Sequence, residues 1–245
     1  MNILGIIPAR FASTRFPGKP LAMIGERSMI QRVYEQAQKA NLRRVLVATD
    51  DVRIMEHVKS FGGNVVLTSE NHESGTDRCF EAYKLEDEVF EYVINIQGDE
   101  PFIQPEQINR LAALLQDNTV QLATLIKKIH STDELLNPNL PKVVTDSRGQ
   151  ALLFSRQTIP FLRNVPQADW LLHHTFYKHI GIYGYRTDIL EQITQLPVGK
   201  LEKAESLEQL RWLEHGFRIM TAITELENLG IDTPEDLESA KRFAG

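Results

Sequence analysis

Short apolar runs alternate with amphipathic stretches along the first half of the chain. Ile3–Ile7 is apolar on both faces, which predicts a strand buried inside a sheet. Ser28–Ala40 places Met29, Ile30, Val33, Tyr34 and Ala37 at helical spacing. Arg44–Thr49 predicts a second buried strand and Val52–Ser60 a helix capped by Asp50-Asp51. Gly62-Gly63 ends that helix, and Asn64–Thr68 reads as a third strand. Glu70–Gly75 is polar and loop-like, Thr76–Leu85 helical, and Tyr92–Ile96 a fourth strand. Gln97–Pro101 breaks the strand, and a helix resumes over Glu106–Gln116. Strands and helices alternating in this way build a largely parallel sheet with right-handed crossovers.

The pattern then changes. Leu122–Ile129, Lys142–Thr145 and Ala151–Phe154 predict strands joined by turns such as Asp146-Ser147-Arg148-Gly149. Asn164–His174 is polar and irregular. Ile180–Tyr185 reads as a strand, and Lys200–His215 as one helix with Leu207, Leu210 and Leu213 on a single face. Arg218–Ile223 and Pro234–Phe243 close the chain as a strand and a helix. With no internal repeat or linker, residues 1–245 read as one domain. Its main part spans about 1–123 and 217–245, and an insertion of about 124–216 serves substrate binding and dimerisation.

Composition narrows the class. A chain of 245 residues that is 42% hydrophobic and 24% charged has enough apolar material for a sizeable core, so disorder is excluded. A formal charge of -6 repels nucleic acid and anionic membrane surfaces, so neither is expected as a partner. The single cysteine, Cys79, excludes an intrachain disulfide and a cysteine-only zinc site, and reads as a small buried helical residue. The histidines form no zinc-binding spacing. The start Met1-Asn2-Ile3-Leu4 has no basic leader, and a cytoplasmic enzyme is expected.

Candidate chemistry concentrates at strand ends. The first strand runs straight into Pro8-Ala9-Arg10-Phe11-Ala12-Ser13-Thr14-Arg15-Phe16-Pro17-Gly18-Lys19-Pro20, and no acidic residue occurs before Glu26. A cationic loop at the carboxyl end of a first strand suits a polyanion, with Arg offering bidentate forks and Lys a point charge. Neither G-x-x-x-x-G-K-[ST] nor G-x-G-x-x-G is present, which sets aside the P-loop and the dinucleotide fold. Gln97-Gly98-Asp99-Glu100-Pro101 puts a carboxylate at the end of the fourth strand, where it can serve magnesium or simply a turn. Thr233, Pro234 and Asp236 form a helix-capping signature that leaves Asp232 without a structural task. Ser74-Gly75-Thr76 opens a helix whose free N–H groups suit an anion or a base edge. His179, Tyr183 and Tyr185 share one strand face.

The cationic loop resembles the amino-terminal signature of sugar nucleotidyltransferases. The chain as a whole is similar to the CMP-Kdo synthetase family, the 3-deoxy-manno-octulosonate cytidylyltransferases. Ser74-Gly75-Thr76-Asp77-Arg78, Asn95–Pro101, Phe154-Ser155-Arg156, His179–Tyr185, Leu207–Arg211 and Asp232–Leu237 carry the resemblance in order along nearly the whole chain. It implies a three-layer, Rossmann-like α/β nucleotidyltransferase with a mostly parallel sheet, acting as a homodimer on CTP and a 3-deoxy sugar acid. The product, CMP-Kdo, would feed lipopolysaccharide synthesis. The resemblance assigns Pro8, Ala9, Arg10, Arg15, Lys19, Ser74 and Gly75 to CTP, with Arg15 and Lys19 on its β- and γ-phosphates. Arg15, Lys19 and Asp99 are then catalytic, and Asp99 and Asp232 hold Mg2+. Arg78, Gln97, Arg156, His179, Tyr183, Glu208 and Gln209 are assigned to the sugar acid. The 8-amino analogue of Kdo and sialic acid remain alternative acceptors, although Phe11-Ala12-Ser13 stands where CMP-sialate synthetases carry Gly-Gly-Ser. A non-catalytic CTP-binding regulator is the alternative from another class.

Overall fold

A computed structural model describes residues 2–12, 16–227 and 229–242. Its strands are β1 (Ile3–Ala9), β2 (Met23–Ile24), β3 (Arg27–Ser28), β4 (Arg44–Thr49), β5 (Val65–Leu67), β6 (Tyr92–Asn95), β7 (Leu122–Lys128), β8 (Lys142–Thr145), β9 (Ala151–Ser155), β10 (Tyr177–Arg186) and β11 (Ile219–Ile223). Its α-helices are α1 (Met29–Gln38), α2 (Val52–Ser60), α3 (Gly75–Lys84), α4 (Pro105–Leu114), α5 (Thr132–Leu136), α6 (Trp170–His173), α7 (Thr187–Thr194), α8 (Lys200–Glu205), α9 (Gln209–Glu214) and α10 (Pro234–Lys241).

The main sheet runs β11-β7-β10-β6-β1-β4-β5, with β8 and β9 attached through β10. β1 pairs in parallel with β4 and β6, β4 with β5, and β7 with β11. β10 is antiparallel to both β6 and β7, so the parallel sheet expected from the sequence carries one reversed strand in its middle. β1 lies where the winding reverses: the chain moves outward through β4 and β5, then returns to β6 on the other side. The carboxyl ends of β1 and β6 therefore flank the crevice of the switch point.

Helices cover both faces. Ile30 and Val33 of α1, Ile54 and Val58 of α2, and Ile108 and Leu111 of α4 pack on one side with Ile3 and Ile7. Cys79 and Ala82 of α3, Ile189 and Leu190 of α7, and Leu210 and Trp212 of α9 pack on the other with Leu4 and Ile6. Successive residues of β1 thus feed opposite cores, as its apolar run requires. Each fully buried aliphatic side chain in these layers contributes about 1.5–3 kcal/mol. Local signals agree with the elements: Ser28 Oγ accepts the Gln31 N–H at α1, Asp51 Oδ1 accepts the Arg53 N–H at α2, and Gly62 takes φ 78 beyond it.

Several expectations change. The helix expected over Lys200–His215 is broken, because Ser206 turns left-handed at φ 52 and separates α8 from α9. The break lets Leu207, Leu210 and Trp212 all bury, and Trp212 packs edge-on to Tyr183 at 5.1 Å and Tyr185 at 5.8 Å. Trp212 thus belongs to the core. The stretch Asn164–His174 is not wholly irregular: a 3-10 turn over Gln167–Asp169 leads into α6, where the buried Trp170 donates from Nε1 to the Val165 carbonyl at 2.9 Å. α7 was not expected, and β10 begins at Tyr177, ahead of the predicted Ile180. β10 and most of β7 fall in the stretch from about 124 to 216, and both are interior strands of the main sheet. Of the predicted final helix, Phe243 lies outside the described residues.

Candidate active site

A cleft of about 290 Å³ opens at the switch point, lined by residues that follow β1, precede α3, follow β6 and precede α10. Pro8, Ala9 and Arg10 come from β1 and its exit; Arg10 is exposed. Gly18 closes the loop by donating its N–H to the Phe11 carbonyl at 3.0 Å, and its φ of 73 turns the chain into the 3-10 turn that carries Lys19. That conformation suits glycine, since a Cβ there is strained. Gly98 has a different task. A Cβ on it would lie 2.8 Å from the Pro8 carbonyl oxygen, so its absence lets the β1 and β6 ends meet.

Lys19 is the centre of the cleft's charge. Its Nζ donates to Asp99 Oδ2 at 2.7 Å and to Asp232 Oδ1 at 3.2 Å, with the lysine side chain 14% exposed. The segments bearing the two aspartates are also joined through the main chain, Ile231 N–H to the Asp99 carbonyl at 3.0 Å. The turn before α10 is fixed by Asp236, whose Oδ2 accepts the N–H groups of Asp232 and Thr233 at 3.0 and 2.9 Å. Two carboxylates that meet on one cation beside an open cleft are hard oxygen donors of the kind magnesium takes together with phosphate oxygens and water. Among the described residues no group of three or more His, Cys, Asp or Glu offers a self-sufficient metal cage.

The opposite wall is the amino end of α3. Ser74 caps the helix by accepting the Asp77 N–H at 3.1 Å, and Gly75 presents bare backbone to the cleft. Arg78 reaches the cleft but is only 3% exposed, and its guanidinium donates to Asp50 Oδ2 at 2.7 Å, Thr68 Oγ1 at 2.6 Å and the Ser69 carbonyl at 3.2 Å. It pins the loop before α3 to β4. His72, Glu73 and Pro20 also line the cleft and were not singled out by the sequence, although His72 lies two positions before Ser74. Glu81 holds the His72 imidazole and accepts the Ser69 N–H at 2.9 Å.

The residues assigned to the sugar acid divide. Gln97 lines the cleft and leans toward β10, its Cγ 4.0 Å from where a Gly181 Cβ would sit. Arg156, His179, Tyr183, Glu208 and Gln209 do not line it. Glu208, half-buried, accepts a hydrogen bond from Thr76 Oγ1 at 2.9 Å, so it adjoins the α3 turn from behind. Burial raises its carboxyl above the ordinary value, while the hydroxyls of Thr76 and Ser74 pull the other way. Gln209 is 4% exposed and its Nε2 has no partner. His179 and Tyr183 share a face, their rings 5.2 Å apart. Burial pushes the His179 imidazole down to about 3. The Thr124 hydroxyl fills the irregularity of β10, bonding the Ile182 carbonyl at 2.7 Å; it therefore accepts from His179 Nε2 at 2.9 Å. Arg156 donates to the carbonyls of Glu205 at 2.6 Å, Pro138 at 3.0 Å and Ser206 at 3.3 Å, which uses its guanidinium to hold the end of β9 against α8. Cys79 is buried, and burial pushes its thiol well up, as befits a packing residue. Arg15 lies outside the described residues.

The sequence profile of the cytidylyltransferase family matches residues 4–219. The 3-deoxy-manno-octulosonate cytidylyltransferase of Cytophaga hutchinsonii is 60% identical over 239 residues, covering 97% of this chain and 95% of its own. That of Parabacteroides distasonis is 56% identical over 247 residues, covering 99% and 98%. Among solved structures, CMP:2-keto-3-deoxy-manno-octonic acid synthetase complexed with CTP superposes with a TM-score of 0.92 at 41% identity, over 99% of this chain and 98% of that one.

Proposed function

The chain belongs to the 3-deoxy-manno-octulosonate cytidylyltransferase family, and from that premise we propose that it couples CTP to 3-deoxy-D-manno-octulosonate, giving CMP-Kdo and pyrophosphate. The observation that carries the reading is the meeting of Asp99, Asp232 and Lys19 in the cleft bounded by Pro8–Arg10 and the α3 turn.

The anomeric hydroxyl oxygen of the sugar acid bonds to the α-phosphorus of CTP. The bond from that phosphorus to the α–β bridging oxygen breaks, pyrophosphate leaves, and the hydroxyl proton passes to solvent. Arg10 and Lys19 supply positive charge to the triphosphate and to the departing pyrophosphate, where charge develops. Ser74 and Gly75 at the start of α3 and Pro8–Arg10 at the end of β1 line the cleft, which supports reading of the base by the main chain there. Magnesium held by Asp99 and Asp232 would supply Lewis-acid neutralisation of the phosphate oxygens. Lys19 pairs with both carboxylates and carries a charge that can turn to phosphate.

Three further features belong to this reading. CMP-Kdo serves lipopolysaccharide synthesis, and a CTP-dependent reaction suits the cytoplasm. No helix among the described residues is long and apolar enough to cross a membrane. A homodimer is part of this reading, with the exposed apolar side chains Leu152, Phe161 and Leu172, 58%, 75% and 80% exposed in the segment that joins β7 to β10, as its candidate contacts. The test is pyrophosphate release from CTP, UTP, ATP and GTP, each with Kdo, its 8-amino analogue and sialic acid. CTP with Kdo is expected to be turned over best. Equal turnover of CTP and ATP would sink the cytidylyl reading.

A further inference from the structure

Glu208 stands at the head of α9, yet the hydroxyl that holds its carboxylate comes from α3. Thr76 donates to Glu208 Oε2 at 2.9 Å, while the neighbouring Ser74 hydroxyl donates to Asp77 Oδ2 at 2.9 Å. Thr76 is 2% exposed, and Tyr185 places its hydroxyl 3.5 Å away. Asn95, on the neighbouring β6, has its Nδ2 3.6 Å from where a Gly75 Cβ would stand. A threonine hydroxyl carries one proton, and a threonine at the start of a helix ordinarily spends its oxygen on capping. Here Ser74 is the cap, accepting the Asp77 N–H at 3.1 Å. The Thr76 hydroxyl is thereby released from helix capping and serves Glu208.

The residues just before it, Ser74 and Gly75, line the nucleotide cleft. One turn of α3 therefore shows its backbone to the cleft and its Thr76 hydroxyl to Glu208. We propose that Thr76 is a positioning residue that fastens the Glu208 carboxylate to the nucleotide-binding turn, so that the turn receiving CTP also sets the contact to the sugar acid. The inference rests on the reading of Glu208 as a sugar-acid contact. Removing the hydroxyl leaves a half-buried carboxylate short of a donor, and the carboxylate then rotates toward whatever partner remains. Unlike a cap, whose loss weakens the helix as a whole, this bond controls one side chain.

Thr76→Val removes the hydroxyl and keeps the shape, and Thr76→Ala is a second truncation should valine crowd the packing. Steady-state kinetics with CTP and Kdo are measured with melting temperatures on these proteins, on Thr76→Ser, on Glu208→Gln and on the Thr76→Val/Glu208→Gln double variant. The KM for Kdo is expected to rise roughly tenfold in the truncated variants, the KM for CTP to stay within about twofold, and serine to restore the Kdo value. The double variant is expected to be no worse than the worse single one, because both act on one carboxylate. If Glu208→Gln raises the KM for Kdo and neither Thr76 truncation does, the positioning role is overturned while the sugar contact stands. If Glu208→Gln leaves that KM unchanged, the sugar contact fails and the proposal falls with it. Equal rises in both KM values with a lowered melting temperature would make Thr76 a packing residue only.

Discussion

His179 shows what one residue of this chain reveals from sequence and what it conceals. Its alternation with Tyr183 and Tyr185 placed the three rings on one face, and they do lie in a row, 5.2 and 6.2 Å apart. Its partner, Thr124, lies on another strand, and the irregularity of β10 that brings them together has no signature in a single strand's pattern. The same holds for Lys19, Asp99 and Asp232. Each was legible from its place beside a strand or a cap, but that the lysine bridges both aspartates emerges only once three distant segments have folded together. Burial gives His179 a consequence in acid. Its imidazole titrates near 6.5 in the unfolded chain and at about 3 in the folded one, so between these values the unfolded state binds more protons. Stability linked to this group is complete above about 6.5 and is lost as pH falls toward 3. Urea unfolding of wild type and His179→Gln from pH 7 to pH 4 measures it, since glutamine keeps a donor for Thr124 and does not titrate. Wild type is expected to lose roughly 1–3 kcal/mol more than the variant over that range. Parallel pH profiles would show that the imidazole is solvated.

At the scale of elements, strands and helices with a strong apolar signal were legible almost to the residue, and those shaped by distant partners were not. Arg44–Thr49, Val52–Ser60 and Lys142–Thr145 have the bounds that the sequence predicts. The α8–α9 break was hidden because Lys200–His215 satisfies helical spacing without it, and only the aromatic face of β10 draws Trp212 inward. The β1 and β6 ends meet through Gly98, whose missing Cβ admits the Pro8 carbonyl. Gly98→Ala is therefore expected to push these ends apart and misalign the cleft. Activity should fall about 10²-fold, with a stability loss of about 1–3 kcal/mol from overpacking. Comparing kcat/KM with the melting temperature checks this, and near wild-type activity would mean that the close approach does not set the site.

For the whole molecule, the strand order explains why residues from both ends of the chain share one cleft. The chain leaves β1 in one direction and returns to β6 beside it, and the segment after β11 comes back to bond the Asp99 carbonyl through Ile231. That Asp99 and Asp232 act as one unit is the central claim of the proposed function. The direct measurement is conversion of CTP and Kdo to CMP-Kdo and pyrophosphate against Mg2+ concentration, in wild type, Asp99→Asn, Asp232→Asn and the double variant, with Mn2+ binding followed on the same proteins by electron paramagnetic resonance. Equimolar products are expected from wild type, with turnover falling at least about 10²-fold in each single variant. Mn2+ binding should weaken in both, the double variant should be no worse than the worse single one, and melting temperatures should stay near wild type. Full activity in Asp232→Asn with only a lowered melting temperature would contradict the shared site and leave Asp232 as an accessory of the α10 cap.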